Sequence, residues 1–224
     1  MDKRPIINIG FVLTSLPVGG QERGLLKIIS RLDTDRFRAF VYCIKDRGQL
    51  ADDIEKAGAT IRSKFSSSKW DPLVVLRLAR QFRRDGIHVV NTIGQGDCMF
   101  WGRLAGKFAR VPVVVAAIHG THDAKGHKVI SYENQILASI TDHFIAVGHD
   151  QLRYLAKHER LPANRTTVIY NGVDYELFHP SDENRKRIRD EVGASPDTPI
   201  IGMVAVLRPE KAHSVLLEAM RVVI

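Results

Sequence analysis

Four short stretches carry residue types from which a ligand site can be built. Gly19-Gly20-Gln21-Glu22 stands before a helical pattern. Bare glycine backbone lets amide groups approach a phosphate closely, and the start of a helix favours its negative charge. The same glycines also suit a tight turn, and Glu22 suits either a ligand contact or the helix end. His119-Gly120-Thr121-His122 follows the most apolar run of the chain, so His119 should emerge where an imidazole can meet a sugar hydroxyl or relay a proton. Gly148-His149-Asp150 reads as a helix start with Asp150 as its cap. Arg208-Pro209-Glu210-Lys211 places two cations after an apolar run, where they could neutralise a diphosphate without a metal. A solvated turn is the alternative there. His119, His122 and His127 lack a carboxylate or cysteine at a zinc-like spacing, so no metal site is expected.

A repeating strand–helix pattern must position these groups. Residues 6–13 form a continuous apolar run of the kind buried on both faces of a parallel sheet. Further strands are expected at 39–44, 60–62, 88–91, 113–118 and 144–147. Helices are expected between them, the first presenting Leu25, Ile28, Ile29 and Leu32 at helical spacing. In a helix capped by Asp71, with Pro72 at its first position, Leu73, Leu76 and Phe82 are expected to face the core. Strands alternating with helices at this spacing predict an α/β fold: a Rossmann-like parallel sheet with helices on both faces.

The pattern pauses at Asn171-Gly172, a dipeptide read as a turn because both residues tolerate positive φ. It is expected to form the bottom of a cleft between two α/β units. Residues 1–170 would be the first domain, 171–198 a hinge and connector, and 199–224 the opening βα unit of a second. A strand at 199–206 and a helix from His213 cannot bury a sheet by themselves. The second Rossmann-like domain is therefore expected to be truncated.

Composition narrows the functional classes. The 224 residues are 44% hydrophobic and 26% charged, as in an ordinary globular protein. Cys43 and Cys98 share no redox or metal spacing and read as buried thiols of a reducing compartment. No apolar run approaches a membrane span, and the run at 6–13 lacks a cleavage pattern, so a cytoplasmic location is expected. The net charge of +8 favours anionic partners. Arg77, Arg80 and Arg84 share one helical face, either as a solvated surface or as a patch for a ligand or for an anionic membrane at its inner, cytoplasmic side. No aromatic residues interleave with them, so nucleic acid is not an expected partner.

Taken together, Gly19-Gly20-Gln21-Glu22, His119, Val168-Ile169-Tyr170-Asn171-Gly172-Val173-Asp174 with Phe178 and Pro180, and Leu207-Arg208-Pro209-Glu210-Lys211 resemble family 4 glycosyltransferases. The resemblance implies the GT-B arrangement of two Rossmann-like domains facing each other. It implies a retaining transfer of sugar from a nucleotide-diphosphate sugar to a saccharide or lipid-linked acceptor, in cell-surface polysaccharide or glycolipid synthesis, without a cofactor or required metal. By the same likeness, Gly19 and Gly20 lie near the diphosphate and His119 near the donor sugar, in a catalytic role. Lys211 holds the diphosphate, helped by Arg208 where the family's usual arginine position carries Val206. Glu22, His122, Asn171 and Gly172 become further cleft contacts. The family's paired glutamates would lie beyond residue 224, so the chain as given is expected to be inactive. Two rival readings are a nucleotide-sugar epimerase on the same scaffold and a non-catalytic acceptor- or membrane-binding module.

Overall fold

The computed structural model describes residues 5–66, 68, 71–94, 96–120, 128–207 and 209–223. Contacts divide the chain into two units, Met1–Gly172 and Val173–Ile224.

The first unit is built on seven parallel strands: β1 (Ile7–Leu13), β2 (Phe37–Cys43), β3 (Thr60–Ser63), β4 (Val89–Ile93), β5 (Val113–Ile118), β6 (His143–Ala146) and β7 (Thr166–Val168). Their order across the sheet is β3-β2-β1-β4-β5-β6-β7. Between them run α1 (Gly20–Ser30), α2 (Ala51–Lys56), α3 (Leu73–Arg84), α4 (Asp97–Ala109), α5 (Lys128–Leu137) and α6 (His149–His158). Parallel neighbours need crossovers, and each crossover helix covers one face of the sheet. Leu25 and Ile29 of α1 pack with Ala51 and Ile54 of α2 in one core. Val74, Leu78 and Phe82 of α3 join Cys98, Met99 and Ala105 of α4 in the other. The α/β expectation therefore holds, with both faces covered.

Helix α4 lies unusually close to the strands. A side chain at Gly102 would meet Thr92 and Val12, and one at Gly106 would press on Val114 and Val90. The same helix buries Arg103, which is 1% exposed. Its Nε donates to the Met99 carbonyl at 2.7 Å, and Nη2 donates to Asn134 Oδ1 at 2.5 Å. Asn134 Nδ2 in turn donates to the buried Glu159 at 2.8 Å. This chain of polar contacts ties α4 to α5 and to the end of α6. Burial pulls the Arg103 pKa down to about 10 and pushes that of Glu159 up.

Several expectations are corrected here. Leu73 and Leu76 face solvent, at 52% and 56% exposure, while Val74, Val75, Leu78, Ala79 and Phe82 are buried. The spacing explains it: Leu73 is four and seven residues before Arg77 and Arg80, so it must share their outward face. Ile28 of α1 is likewise exposed. Asp150 does not cap α6; it pairs with Arg153, and Gly148 stands at the cap position. Asn171 and Gly172 form no turn and neither takes positive φ, because the chain does not fold back there into a hairpin.

In the second unit, Ser181 caps α7 (Asp182–Glu191) by accepting from the Asn184 amide at 3.1 Å. A short 3-10 turn, Pro209–Lys211, precedes α8 (His213–Val223). Residues 199–206 are not a strand, contrary to expectation. An apolar run becomes a strand only when a neighbour completes its ladder, and the described residues of this unit include no other strand. Ile201, Val204, Val206 and Leu207 are accordingly exposed.

Candidate functional site

In a parallel sheet all strands end on one edge, and the groups following those ends are brought together whatever their distance in sequence. On this edge stand residues 14–19 after β1, Lys45 after β2, Gly94 and Gly96 after β4, His119 and Gly120 after β5, residues 147–148 after β6 and residues 169–172 after β7. The same edge thus carries Gly19, Gly20 and Glu22 after β1, His119 after β5, and Asn171 and Gly172 after β7, all within the first unit. Lys211, exposed, belongs to the second. Arg208 and His122 lie outside the described residues.

Gly19 and Gly20 open α1 without conformational need for glycine. Gly19 has φ −147° and ψ 168°, an extended conformation open to any residue. What the pair contributes is bare backbone. Apart from its chain neighbours and its own helix backbone, no atom of the described residues lies within 4 Å of where a Gly20 Cβ would stand, and the first amides of a helix have no partner within it. Beside Gly19 the carboxylate of Glu22 folds back over the helix start. The loop is clasped from behind: the Leu16 amide donates to the Arg47 carbonyl at 3.2 Å, and the Leu50 amide donates to the Leu16 carbonyl at 3.0 Å.

His119 is half-buried at the exit of β5, and burial holds its pKa below the ordinary value, so the ring is neutral near pH 7. Gln151 ties the end of β5, from which His119 emerges, to the end of β6. Its Nε2 donates to the Ile118 carbonyl at 3.0 Å, and its Oε1 accepts from the Val147 amide at 2.7 Å. Farther along the edge, the Ile169 amide donates to the Ala146 carbonyl at 2.8 Å, and the Tyr170 ring meets His149 edge-on at 6.0 Å. Asn171 and Gly172 follow directly and are exposed.

Reading the sequence missed a polar cluster over β1 and β4. Thr14 Oγ1 donates to Asp97 Oδ1 at 2.6 Å, and Lys45 Nζ stands 3.7 Å from Asp97 Oδ2. These residues are 83 positions apart at the widest hydrogen-bonded pair. No local motif signals them; only the strand order does. Among the described residues, no three His, Cys, Asp or Glu side chains gather as a metal site.

The sequence profile of the family described as Glycosyltransferase Family 4 matches residues 18–177. The chain is 26% identical to EpsF of Bacillus subtilis (strain 168) over 92% of its own length and 56% of that protein. It is 24% identical to the UDP-Gal:alpha-D-GlcNAc-diphosphoundecaprenol alpha-1,3-galactosyltransferase of Escherichia coli, over 97% of its length and 58% of that protein. The chain thus spans little more than half of these curated relatives. Among solved structures, a glycosyltransferase from Rickettsia africae ESF-5 superposes with a TM-score of 0.73 at 20% identity, covering 97% of this chain and 57% of that one. A UDP-N-acetylglucosamine 2-epimerase superposes less well, with a TM-score of 0.54 at 14% identity over 75% of this chain and 49% of that one.

Proposed function

The chain belongs to glycosyltransferase family 4, and from that membership we propose that the protein transfers a sugar from a nucleotide-diphosphate sugar to a saccharide or lipid-linked acceptor. The observation that carries the reading is the placement of Gly19, Gly20, His119, Asn171 and Gly172 on the same carboxyl edge of one parallel sheet. In the reaction the bond between the anomeric carbon and the diphosphate oxygen breaks, one to the acceptor oxygen forms, and the proton of the acceptor hydroxyl passes to the departing diphosphate. The departing diphosphate carries the charge that develops. Cations and backbone amides are the groups that stabilise it, and this reading gives those roles to Lys211 and Arg208 and, once the Glu22 carboxylate swings aside, to the Gly19-Gly20 backbone. His119, neutral near pH 7, exchanges hydrogen bonds with a donor-sugar hydroxyl. No metal or cofactor has a part in this scheme.

A lipid-linked acceptor fits the relative from Escherichia coli, whose name specifies a diphosphoundecaprenol substrate. A lipid acceptor calls for approach to a membrane, and the outward face of α3 suits one. Leu73, Leu76, Arg80, Arg83 and Arg84 are all exposed on it, with no acidic residue in the helix. A helix with apolar and basic residues on one outward face lies well at an anionic interface. Arg77 contributes less than its spacing implies, being held by Asp71 at 2.5 Å and by the Phe65 carbonyl at 2.8 Å. Among the described residues no helix is long and apolar enough to cross a membrane, so contact through α3 would be peripheral.

The test is an assay of the protein with a panel of nucleotide-diphosphate sugars and with saccharide and polyprenyl-diphosphate-linked acceptors, read by mass spectrometry. The expected product is an acceptor heavier by one sugar residue, together with released nucleoside diphosphate. An epimerised free sugar formed without any acceptor would favour the epimerase. Acceptor binding with no donor consumed would favour a non-catalytic module.

A further inference from the structure

Strands β5 and β6 part at their carboxyl ends, and one side chain bridges the gap. Their register ends at the pair Ile118 and Ala146. The Ala117 carbonyl accepts from the Gly94 amide at 3.4 Å, and the Ala146 carbonyl accepts from the Ile169 amide at 2.8 Å. Both residues thus turn their backbone groups away from the seam between β5 and β6. Successive residues of a strand present those groups to opposite sides, so the Ile118 carbonyl and the Val147 amide face each other across the seam. An unbroken parallel ladder would join them directly. Here the Gln151 amide is inserted instead: Nε2 donates to the Ile118 carbonyl at 3.0 Å, and Oε1 accepts from the Val147 amide at 2.7 Å. Both backbone groups are satisfied, and the strand ends are held a side-chain amide apart.

The place of this insertion bears on His119. The Ile118 carbonyl and the His119 amide belong to one planar peptide unit. A bond that fixes the direction of that carbonyl also fixes where the His119 Cα stands. On its other side His119 is followed by Gly120, the residue type that restrains a chain least. The restraint on the imidazole therefore has to come from the Ile118 side. Gln151 is itself well seated for the task. It lies in the first turn of α6, whose Leu155 is 1% exposed and belongs to the core that contains Phe144 and Ala146 of β6.

We infer that Gln151 is the positioning residue for His119 in sugar transfer, acting through the 118–119 peptide and not by contact with substrate. The role rests on the glycosyl-transfer reading and on the part given there to His119.

The test is a double-mutant cycle between Gln151→Met and His119→Ala, read in steady-state turnover. Gln151→Met should lower kcat about fivefold, because a small misplacement of a substrate-contacting group is costly, and should leave the acceptor KM at the parent value. In the His119→Ala background the same change should lower kcat by less than about twofold, since the group it positions is gone. Equal losses in both backgrounds would overturn the assignment and leave Gln151 a structural tie. Gln151→Glu keeps the shape of the side chain. Its carboxylate still accepts from the Val147 amide but cannot donate to the Ile118 carbonyl. This variant should lose turnover as Gln151→Met does, and full turnover would rule out action through the 118–119 peptide. A further arm needs no turnover: carbon relaxation measured by NMR at the His119 ring reports its picosecond-to-nanosecond motion. The ring should be more mobile in Gln151→Met than in the parent, and equal mobility overturns the assignment. Absence of donor consumption by the parent protein would instead count against the glycosyl-transfer reading, while the relaxation arm still decides whether Gln151 holds His119.

Discussion

Gly48 lies against the backbone of Leu16 with no room for a side chain. Its φ is +77°, and an added Cβ would come under 3.0 Å from the Leu16 backbone nitrogen and carbonyl group. The contact matters because Leu16 belongs to the loop that ends at Gly19 and Gly20, and the loop after β2 holds it in place through the Arg47 carbonyl and the Leu50 amide. Gly48→Ala should destabilise the first unit by at least about 2 kcal/mol, from a left-handed backbone forced on a non-glycine residue together with the clash. Chemical denaturation measures it directly. A change below the error of the extrapolation would show that the loop yields without cost.

His119→Ala should lower turnover at least about tenfold, the lower part of the range for a positioned polar or proton-transfer group. The melting temperature should stay nearly constant at neutral pH. The pKa direction adds a second signature. Burial keeps the folded-state pKa below 6.5, so below that pH the unfolded chain takes up a proton that the folded chain resists. Stability contributed at this position is therefore full above 6.5 and declines as pH falls through the folded value. His119→Gln should flatten that part of the curve of melting temperature against pH. An identical slope in both proteins would show that His119 does not titrate in this way.

Lys211→Ala should weaken binding of the nucleotide-diphosphate donor without altering the acceptor KM, since a solvent-exposed ammonium can leave without disturbing packing. Calorimetric titration with a nucleoside diphosphate, with and without the sugar, separates the diphosphate contribution from the rest. Equal affinity in both proteins would remove Lys211 from the donor site.

Reversing Arg80, Arg83 and Arg84 to Glu should abolish co-sedimentation with vesicles containing anionic lipid, each basic residue near such a surface contributing about 1 kcal/mol. Binding by the parent protein should fall with added salt, and Leu76→Ser should weaken it further by removing apolar contact. The backbone contact of Arg83 with the Phe108 carbonyl is a structural tie, so a variant that keeps Arg83 and reverses only Arg80 and Arg84 controls for loss of fold. Unchanged sedimentation of both variants would leave α3 as a solvated helix.

Arg103→Ala should cost about 3–5 kcal/mol, the range for removing one partner of a buried charged network. Glu159 and Asn134 would then be left buried with part of their bonding lost. Arg103→Met fills the volume, and Arg103→Met combined with Glu159→Gln removes both charges. The double variant should recover part of the loss, and strict additivity of the two changes would show that the charges do not communicate through Asn134.

The α/β class, the succession of strands and helices, and the exit of His119 from a buried strand were legible in the sequence. Each rests on a local period or a boundary, such as the unbroken apolar run 113–118 followed by His119-Gly120. The burial of Cys43 and Cys98 was legible for the same reason, since each sits within an apolar segment. Other features needed partners remote in the chain. The order β3-β2-β1-β4-β5-β6-β7 follows from which crossover lies on which face, and it alone makes Thr14, Lys45 and Asp97 neighbours. Arg103 carries no local sign of burial, because its partners Asn134 and Glu159 come from other helices. Residues 199–206 have the composition of a strand and are not one, since a strand exists only through the hydrogen bonds of its neighbours. Local chemistry thus determined which elements form in the first unit and which groups stand at their ends; tertiary packing decided which of those ends meet.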